Sequence, residues 1–462
     1  MKQNTHFFRI TIAERREGTF LRNKFIRARI RNYLSNFYFV ILRKIIIFAD
    51  FKKNITAMKI SMILSLGEKI EDPRKSGMVT YSVQLILFIT VAAVLSGAET
   101  WNEVAAFGKS RLTFIRKFFP DIEGTPSHDT FNRFFSILKP QVFETAFRKW
   151  IAENFPKPEG TLSIDGKAMR GAARNDPRLK DSKDPSPIDM VSIWSKEYGI
   201  SFGQLTVSEK SNEMTAIPEL IKGMDLKGCL VTIDAIACQK KIADAILESK
   251  GDFLLACKTN QQYLNQTAVN LFEQQEENLK ANPALREWYH SSTTENKGHG
   301  RIERREVTAV GQPGGGNYFE KNLSAPQPWK GINAFVKVRS SRTIIATGET
   351  STEDRYYLTS LVAEQVGRIA LAIRDHWSIE NQLHWQLDVS FDEDDSRKIR
   401  NAALNFSLVN KIVLSVIKRY KDVSNSKISM KGLRKQAGWD EGTLMEILEK
   451  AVWDNNPMNQ DS

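Results

Sequence analysis

Two short apolar segments, each followed directly by an aspartate, constrain the fold of this chain more than any other feature. ThrLeuSerIle precedes Asp165, and CysLeuValThrIle precedes Asp234. Segments of this length and composition predict buried strands. An aspartate at the end of such a strand lines the crevice where an α/β sheet binds ligands, although it can also cap a following helix. Such carboxylates suit hard cations such as Mg²⁺ or Mn²⁺, which would compensate their charge.

The chain beyond Pro158 alternates between strand and helix patterns, which predicts an α/β fold with a mixed sheet. Tyr198-Gly199 is expected to join two strands in a hairpin. Residues 260–353 are polar and include the flexible GlyGlnProGlyGlyGlyAsn at 311–317, with strand-like segments at Glu303–Val310 and Ala334–Val338, so we expect an insertion containing strands there. The other predicted strands are 161–165, Cys229–Asp234, Asp252–Cys257 and Tyr356–Leu361, and the predicted helices are Asn212–Ile221, Ile242–Ser249, Val366–Leu387 and Ser396–Arg419.

The pattern is helical from Tyr81 to Glu153, so we expect residues 58–157 to form an all-helical N-terminal domain. Ser127 is a good N-cap, after which Phe131, Phe134 or Phe135, and Leu138 would face inward. Two short helices joined by a turn resemble a helix-turn-helix, which makes Arg133 a candidate DNA contact. Generic helical packing is the alternative, with His128 ordering the turn. A helical tail is expected at 426–462.

Most of the net charge of +12 lies in residues 1–57, which hold 13 Lys+Arg and three acids. The net charge of the whole chain is therefore weak evidence that the residues beyond 57 bind nucleic acid. Residues 1–57 could be a basic arm on DNA or an amphipathic segment on a membrane surface. A third interpretation is an over-extended start, with Met58 or Met62 as the initiator.

The composition excludes a membrane-spanning protein and a protein built on a disulfide framework. The longest mostly apolar stretch, Leu85–Leu95, is shorter than the roughly 20 residues that a membrane helix needs. Three cysteines (Cys229, Cys238 and Cys257) form no disulfide framework and no Cys-x-x-Cys zinc motif, so we expect core positions and a reducing cytoplasm.

A third acid is expected from the segment ArgAspHisTrpSerIleGluAsnGlnLeuHisTrp (374–385). On a helix, His376, Glu380 and His384 would share one face. A zinc hydrolase using these three residues is an alternative, although their span of about 12 Å along a helix disfavours one shared ion. The acids at 392–395 could form another metal site, but we expect them to cap the helix that follows.

Five stretches together resemble the H-repeat-associated (ISAs-type) DDE transposases of the RNase H-like superfamily. They are GlyThrProSerHisAspThrPheAsnArg (124–133), IleAspGlyLysAlaMetArgGly (164–171), ThrIleAspAlaIleAlaCysGln (232–239), GlyHisGlyArgIleGluArgArg (298–305), and the segment from His376 to Asp394. The resemblance implies an RNase H-like catalytic core at 158–425 with a β-rich insertion at about 260–353. It also implies Asp165, Asp234 and Glu380 as the catalytic and metal-binding acids.

The resemblance implies two-metal phosphoryl transfer, with two Mg²⁺ ions, or Mn²⁺ as substitute. The implied partners are double-stranded DNA, both terminal inverted repeats and target, and a second copy of the chain on that DNA, in a bacterial cytoplasm at the nucleoid. Candidate phosphate contacts are Lys167, Arg170, Lys258, Arg301, Arg304 and Arg305.

One departure from the related Tyr-x2-Arg-x3-Glu-x6-Lys signature is visible, since the positions around Glu380 hold Ile373, His376 and Leu387. The DNA-end roles of that Tyr, Arg and Lys therefore do not transfer, and Arg374 or His376 could substitute. The leading hypothesis is an active transposase. The alternative is an inactive, DNA-binding remnant of one.

Overall fold

The computed structural model describes residues 63–450, apart from residues 78 and 299 and the segments 177–187, 208–212 and 324–328. The described residues all belong to one compact unit, Met62–Ser462. The predictions for residues 1–57, for Met58 and Met62 as start sites, and for the end of the chain from 451 onwards lie outside the described residues.

Helices make up the described chain before residue 155, as the sequence predicts. Residues 63–68 are helical, and three of the helices that follow begin after a residue whose side chain caps them, Ser82, Thr100 and Ser127. Thr100 and Glu103 form a reciprocal capping box, and the Ser127 hydroxyl accepts a hydrogen bond from the Thr130 amide at 3.3 Å. These helices are α1 (Val83–Leu95), α2 (Trp101–Ser110), α3 (Leu112–Ile115), α4 (His128–Ile137) and α5 (Pro140–Asn154).

Three phenylalanines form the buried face of α4. Phe131, Phe134 and Phe135 are all buried, so both of the residues left open by the periodicity lie in the core. The Trp101 ring stacks on Phe135 with 4.9 Å between the ring centroids. Arg133 lies on the opposite, exposed face.

The strands form one mixed sheet with the order β3-β2-β1-β4-β5-β9-β8-β7-β6. The β1–β2–β3 segment is antiparallel, and the predicted hairpin turns at Gly199, whose φ is +63°. The strands β1, β4 and β5 are parallel neighbours. Their bounds are β1 (Gly160–Met169), β2 (Ile188–Ser195), β3 (Ile200–Val207), β4 (Cys229–Ile233) and β5 (Asp252–Cys257).

Short helices connect these strands and cover the sheet. A turn of 3₁₀-helix, Ala235–Ala237, follows β4 directly. All five residues of β4 are buried, as expected for a central parallel strand covered on both faces. The connecting helices are α6 (Arg170–Asn175), α7 (Glu213–Ile221) and α8 (Lys240–Glu248).

The predicted β-rich insertion begins with helices, and its strands extend the central sheet. Strand β9 pairs antiparallel with β5, so the later strands continue the sheet beyond the parallel part. The elements are α9 (Gln262–Glu273), α10 (Gln275–Ala281), β6 (Tyr289–Gly298), β7 (Arg301–Gly311), α11 (Tyr318–Asn322), β8 (Ala334–Ile344) and β9 (Thr350–Thr359).

The predicted helix 366–387 is interrupted. It consists of α12 (Val366–Ser378), a π-helical segment (Ile379–His384) and α13 (Trp385–Phe391). The long buried helix α14 (Arg400–Ser424) packs against α1, α4 and β3. The described part of the expected tail forms α15 (Met430–Trp439) and α16 (Glu441–Lys450), and the Arg434 Nε donates a hydrogen bond to the Val94 carbonyl at 2.9 Å.

Two details of the sequence prediction are wrong. Strand β1 does not end at Asp165, because antiparallel pairing with β2 continues to Met169 opposite Ile188. The acids at 392–395 do not cap the next helix, because α14 begins only at Arg400 and has no acid in its first turn. As predicted, all three cysteines are buried. Among the helices of the described segments, none is long and apolar enough to cross a membrane.

Candidate active site

The parallel pairing of β1 and β4 places the two aspartates side by side. The last residue pair of this ladder is Ile164 with Ile233, so Asp165 and Asp234 follow at the same level on neighbouring strands. Adjacent strands lie about 4.8 Å apart. Asp234 starts the 3₁₀ turn, but its side chain accepts no capping hydrogen bond there. The carboxylate is therefore not used as a helix cap.

Glu380 reaches the same place from the π-helical segment. Asp165, Asp234 and Glu380 together line a cleft of about 180 Å³, which we call the acidic cleft. Glu380 is exposed, and the side chains of Asp234 and Asp165 are 49% and 26% exposed. Three acids that are remote in the sequence thus share one solvent-accessible cleft.

Two histidines hold the helix segment against the strands that carry the aspartates. The Nδ1 of His376 lies 3.0 Å from the Thr232 hydroxyl on β4. The Nδ1 of His384 lies 3.5 Å from a carboxylate oxygen of Asp165. Burial lowers the pKa of His376, and burial together with the nearby Lys411 and Lys167 ammonium groups lowers the pKa of His384 to about 3. Both imidazoles are therefore neutral at pH 7.

Lys167 has partners other than the DNA phosphates predicted for it. Its ammonium group pairs with Asp388 and, at 2.9 Å, with Glu393, and its side chain is only 9% exposed. These two carboxylates raise the pKa of Lys167 against the opposing effect of burial. Glu393 belongs to the acid cluster expected to cap a helix, and it instead neutralises a buried lysine below the acidic cleft. Lys167 is therefore not a candidate phosphate contact.

Basic and aromatic side chains surround the acidic cleft at its rim. Lys258 lies 3.9 Å from the Asp234 carboxylate and is itself exposed. Arg355 pairs with Glu353 at 2.9 Å, and its guanidinium lies 5.4 Å from the centre of the Trp377 ring. Lys258, Glu353, Arg355 and Trp377 all line the cleft.

A second, larger cleft of about 1250 Å³ adjoins the first, between the face of β6–β9 and α12. Six arginines and two glutamates line it, together with serine and threonine side chains, and we call it the arginine cleft. Its arginines are Arg301, Arg304, Arg305, Arg342, Arg355 and Arg374. Four of these were predicted DNA contacts.

The other predicted DNA contacts lie elsewhere. Arg133 on α4 and Arg170 at the start of α6 are exposed but line neither cleft, and His376 lies in the acidic cleft. Arg342 and Arg355 were not among the DNA contacts predicted from the sequence. The signal was present, because Ser351, Glu353, Arg355 and Tyr357 alternate along β9 and so share one face.

The acidic cleft offers the donor chemistry of a hard divalent cation. Asp165, Asp234 and Glu380 supply only carboxylate oxygens, the ligands that Mg²⁺ and Mn²⁺ prefer. Within the described part of the chain, no three His, Cys, Asp or Glu side chains already stand in the arrangement of a metal site. The histidines of the zinc alternative contact the strands instead of gathering around Glu380.

Comparison with known proteins places the chain in a family. Residues 157–415 match the transposase DDE domain, and residues 67–151 match the domain associated with it. The Escherichia coli K12 protein named "H repeat-associated putative transposase YhhI" is 34% identical over 400 residues, covering 85% of this chain and 98% of the relative. "Putative transposase YncI" of Escherichia coli O157:H7 is 36% identical over 401 residues, covering 85% and 95%.

A mixed α/β chain with these matches belongs to the DDE-domain transposases. Within that family its relatives include proteins named H repeat-associated putative transposases. The solved synaptic complex of the piggyBac transposase with hairpin DNA covers 85% of this chain and 80% of its own, at 10% identity and a TM-score of 0.37. That similarity is too low to carry an argument.

Proposed function

We propose that the protein is an active transposase, which cuts DNA at the ends of its element and joins those ends to target DNA. The observation that carries this proposal is the presence of Asp165, Asp234 and Glu380 in one cleft. The order β3-β2-β1-β4-β5 supports an RNase H-like core, with three antiparallel strands followed by two parallel ones. Intact acids at all three positions favour this function over an inactive remnant.

Asp165, Asp234 and Glu380 would hold two divalent cations, of the kind that the family generally uses. Bound there, the cations would activate the attacking hydroxyl and stabilise the departing 3′-oxygen. The exposed Lys258 at the rim would neutralise a neighbouring phosphate. His376 and His384 stay neutral and would not compete as charged groups for the same carboxylates.

The arginine cleft would bind the backbone of double-stranded DNA. It shares Glu353, Arg355, Tyr357, Ile373 and Trp377 with the acidic cleft, so the two form one continuous groove. Arginine and hydroxyl side chains are the usual partners of phosphate oxygens. DNA lying along this groove would reach the three carboxylates. Cleavage at both ends of an element would require a homodimer on the DNA.

The test is cleavage of labelled DNA that carries the terminal inverted repeats, with Mg²⁺ or Mn²⁺. We expect Asp165→Asn, Asp234→Asn and Glu380→Gln each to reduce the rate by more than about 100-fold, since changes next to a metal ligand alone cost roughly 10- to 100-fold. Glu219→Gln is the matched control and should cleave like wild type, because Glu219 is an exposed carboxylate on α7 that lines neither cleft. Equal cleavage by wild type and Asp234→Asn would refute the assigned chemistry.

A further inference from the structure

A histidine about one turn before Glu380 and another about one turn after it contact the two strands that carry the aspartates. His376 reaches the Thr232 hydroxyl, two residues before Asp234 on the chain, at 3.0 Å. His384 reaches Asp165 itself at 3.5 Å. Glu380 lies midway between these contacts. The distance of its carboxylate from the aspartates therefore depends on how the two imidazoles fix the helix.

The π-helical segment keeps all three side chains on the side of the sheet. In a regular α-helix, residues four apart drift by about 40° around the axis, so His376, Glu380 and His384 would fan out by about 80°. The wider turn of the π-helix at Ile379–His384 reduces this drift. Such π-helical segments occur frequently at functional sites.

A third polar contact joins the same helical region to the sheet. Asp388, four residues beyond His384, pairs with the buried Lys167, which lies two residues after Asp165 on the same face of β1. The helix is thus joined to β4 at His376, and to β1 at His384 and Asp388. The side chain of His384 is 13% exposed and does not line the acidic cleft, so it is placed to hold Asp165 and not to touch DNA.

We propose that His376 and His384 are positioning residues that set the distance of Glu380 from Asp165 and Asp234. Each acts through its Nδ1, on Thr232 and on Asp165 respectively. The proposal rests on the proposed function, in which these three acids hold divalent cations. It assigns the two histidines a role in preparing the metal-binding geometry before DNA arrives.

The experiment compares two replacements that differ in which imidazole nitrogen they imitate. Asparagine places its amide near Nδ1, whereas glutamine places it near Nε2. Mn²⁺ affinity of the full chain without DNA is measured by electron paramagnetic resonance, alongside thermal stability. We expect His384→Gln and His376→Gln to raise the Mn²⁺ dissociation constant about 10-fold or more, and His384→Asn and His376→Asn to remain within about threefold of wild type.

Controls separate positioning from a general structural role. His128→Gln, at an exposed histidine on α4, should leave the affinity unchanged. Thr232→Val removes the partner of His376, so Thr232→Val combined with His376→Gln should weaken Mn²⁺ binding no more than His376→Gln alone. Thr359→Val, at another buried hydroxyl of the sheet, should change stability without changing affinity.

The outcomes distinguish the two proposals. Glutamine variants that lose thermal stability but bind Mn²⁺ like wild type would overturn the positioning role, and so would equal effects of asparagine and glutamine. Absence of Mn²⁺ binding by wild type would refute the proposed function. In that case, amide hydrogen exchange at residues 376–391 still decides the inference, because His384→Gln should accelerate exchange there and His384→Asn should not.

Discussion

Glu144 and Lys411 are two buried charged residues connected by one polar chain between α5, β3 and α14. A Glu144 carboxylate oxygen accepts a hydrogen bond from the backbone N–H of Gln204 at 3.1 Å, and the Gln204 side-chain oxygen accepts one from the Lys411 ammonium at 2.6 Å. Burial raises the pKa of Glu144 to about 7 and lowers the pKa of Lys411 to about 8. Burial thus disfavours the charged form of each group, but Lys411, whose pKa stays above 7, remains mostly protonated at neutral pH.

Glu144 should make the stability of the protein depend on pH. Its pKa is about 7 in the folded state against 4.5 when exposed, so the folded protein keeps a proton that the unfolded chain releases. The free energy of unfolding should fall as pH rises from about 4.5 to 7, by up to about 3 kcal/mol relative to Glu144→Gln. Urea denaturation of both proteins across this range measures it. A constant difference would contradict the assignment.

Lys167 was predicted to contact phosphate, but in the structure it pairs with two carboxylates. Its position two residues after Asp165 indicated a phosphate contact, because local spacing places both side chains on one face of β1. Its partners Asp388 and Glu393 lie more than 200 residues away in sequence. Pairings of that kind depend on how α13 packs on the sheet, which no local pattern contains.

At the scale of elements, the loop of residues 392–396 approaches α6 so closely that only glycine fits at residue 171. A Cβ there would collide with the Asp394 carbonyl oxygen and lie 2.8 Å from that of Ser396. This contact places Glu393 beside Lys167. The loop whose acids were predicted to cap a helix thus connects β1 to α14.

A matched pair of glycine replacements tests this packing. Gly171→Ala should lower the free energy of unfolding by roughly 1–3 kcal/mol, because the backbone of residues 394–396 must move. Gly367→Ala on α12, where a Cβ meets nothing within 4 Å, should be neutral or stabilise by up to about 1 kcal/mol. Denaturant unfolding of both variants gives the comparison. Equal effects would contradict the close approach at Gly171.

The sequence predicted those elements whose pattern is local. Strands β4 and β5 are continuous apolar segments, and Ser127 caps α4 as its spacing indicates. The end of β1 was missed, because the pairing that extends it comes from β2, a separate segment further along the chain. The π-helical segment was missed because its residues have ordinary helical propensities. Its conformation accompanies the contacts of His376 and His384 with the sheet.

At the scale of the whole described chain, charge is distributed very unevenly. The high content of basic residues in the first 57 residues suggested that the remainder is nearly balanced. Folding nevertheless gathers six arginines around one cleft, drawn from β7, β8, β9 and α12. Composition cannot reveal this, because these arginines are spread over 74 positions of the chain, from Arg301 to Arg374.

Binding of DNA by the arginine cleft predicts a specific salt dependence. Arg304 and Arg342 are exposed in the cleft, and replacing both with alanine should weaken binding of double-stranded DNA of any sequence. Each lost phosphate contact should lower the slope of log affinity against log salt by about 1. Lys222→Ala with Lys227→Ala, at exposed positions before β4, is the control. Equal slopes for both double variants would place the DNA elsewhere.

The account rests on three distant segments meeting around bound cations, and iron-directed cleavage of the polypeptide measures this directly. Fe²⁺ takes the place of Mg²⁺, and hydroxyl radicals formed with ascorbate and peroxide cut the backbone near the bound ion, as read by mass spectrometry. We predict cuts close to residues 165, 234 and 380 together, suppressed by excess Mg²⁺ and absent in Asp234→Asn. Cuts confined to the acids at 392–395, or to only one of the three segments, would contradict it.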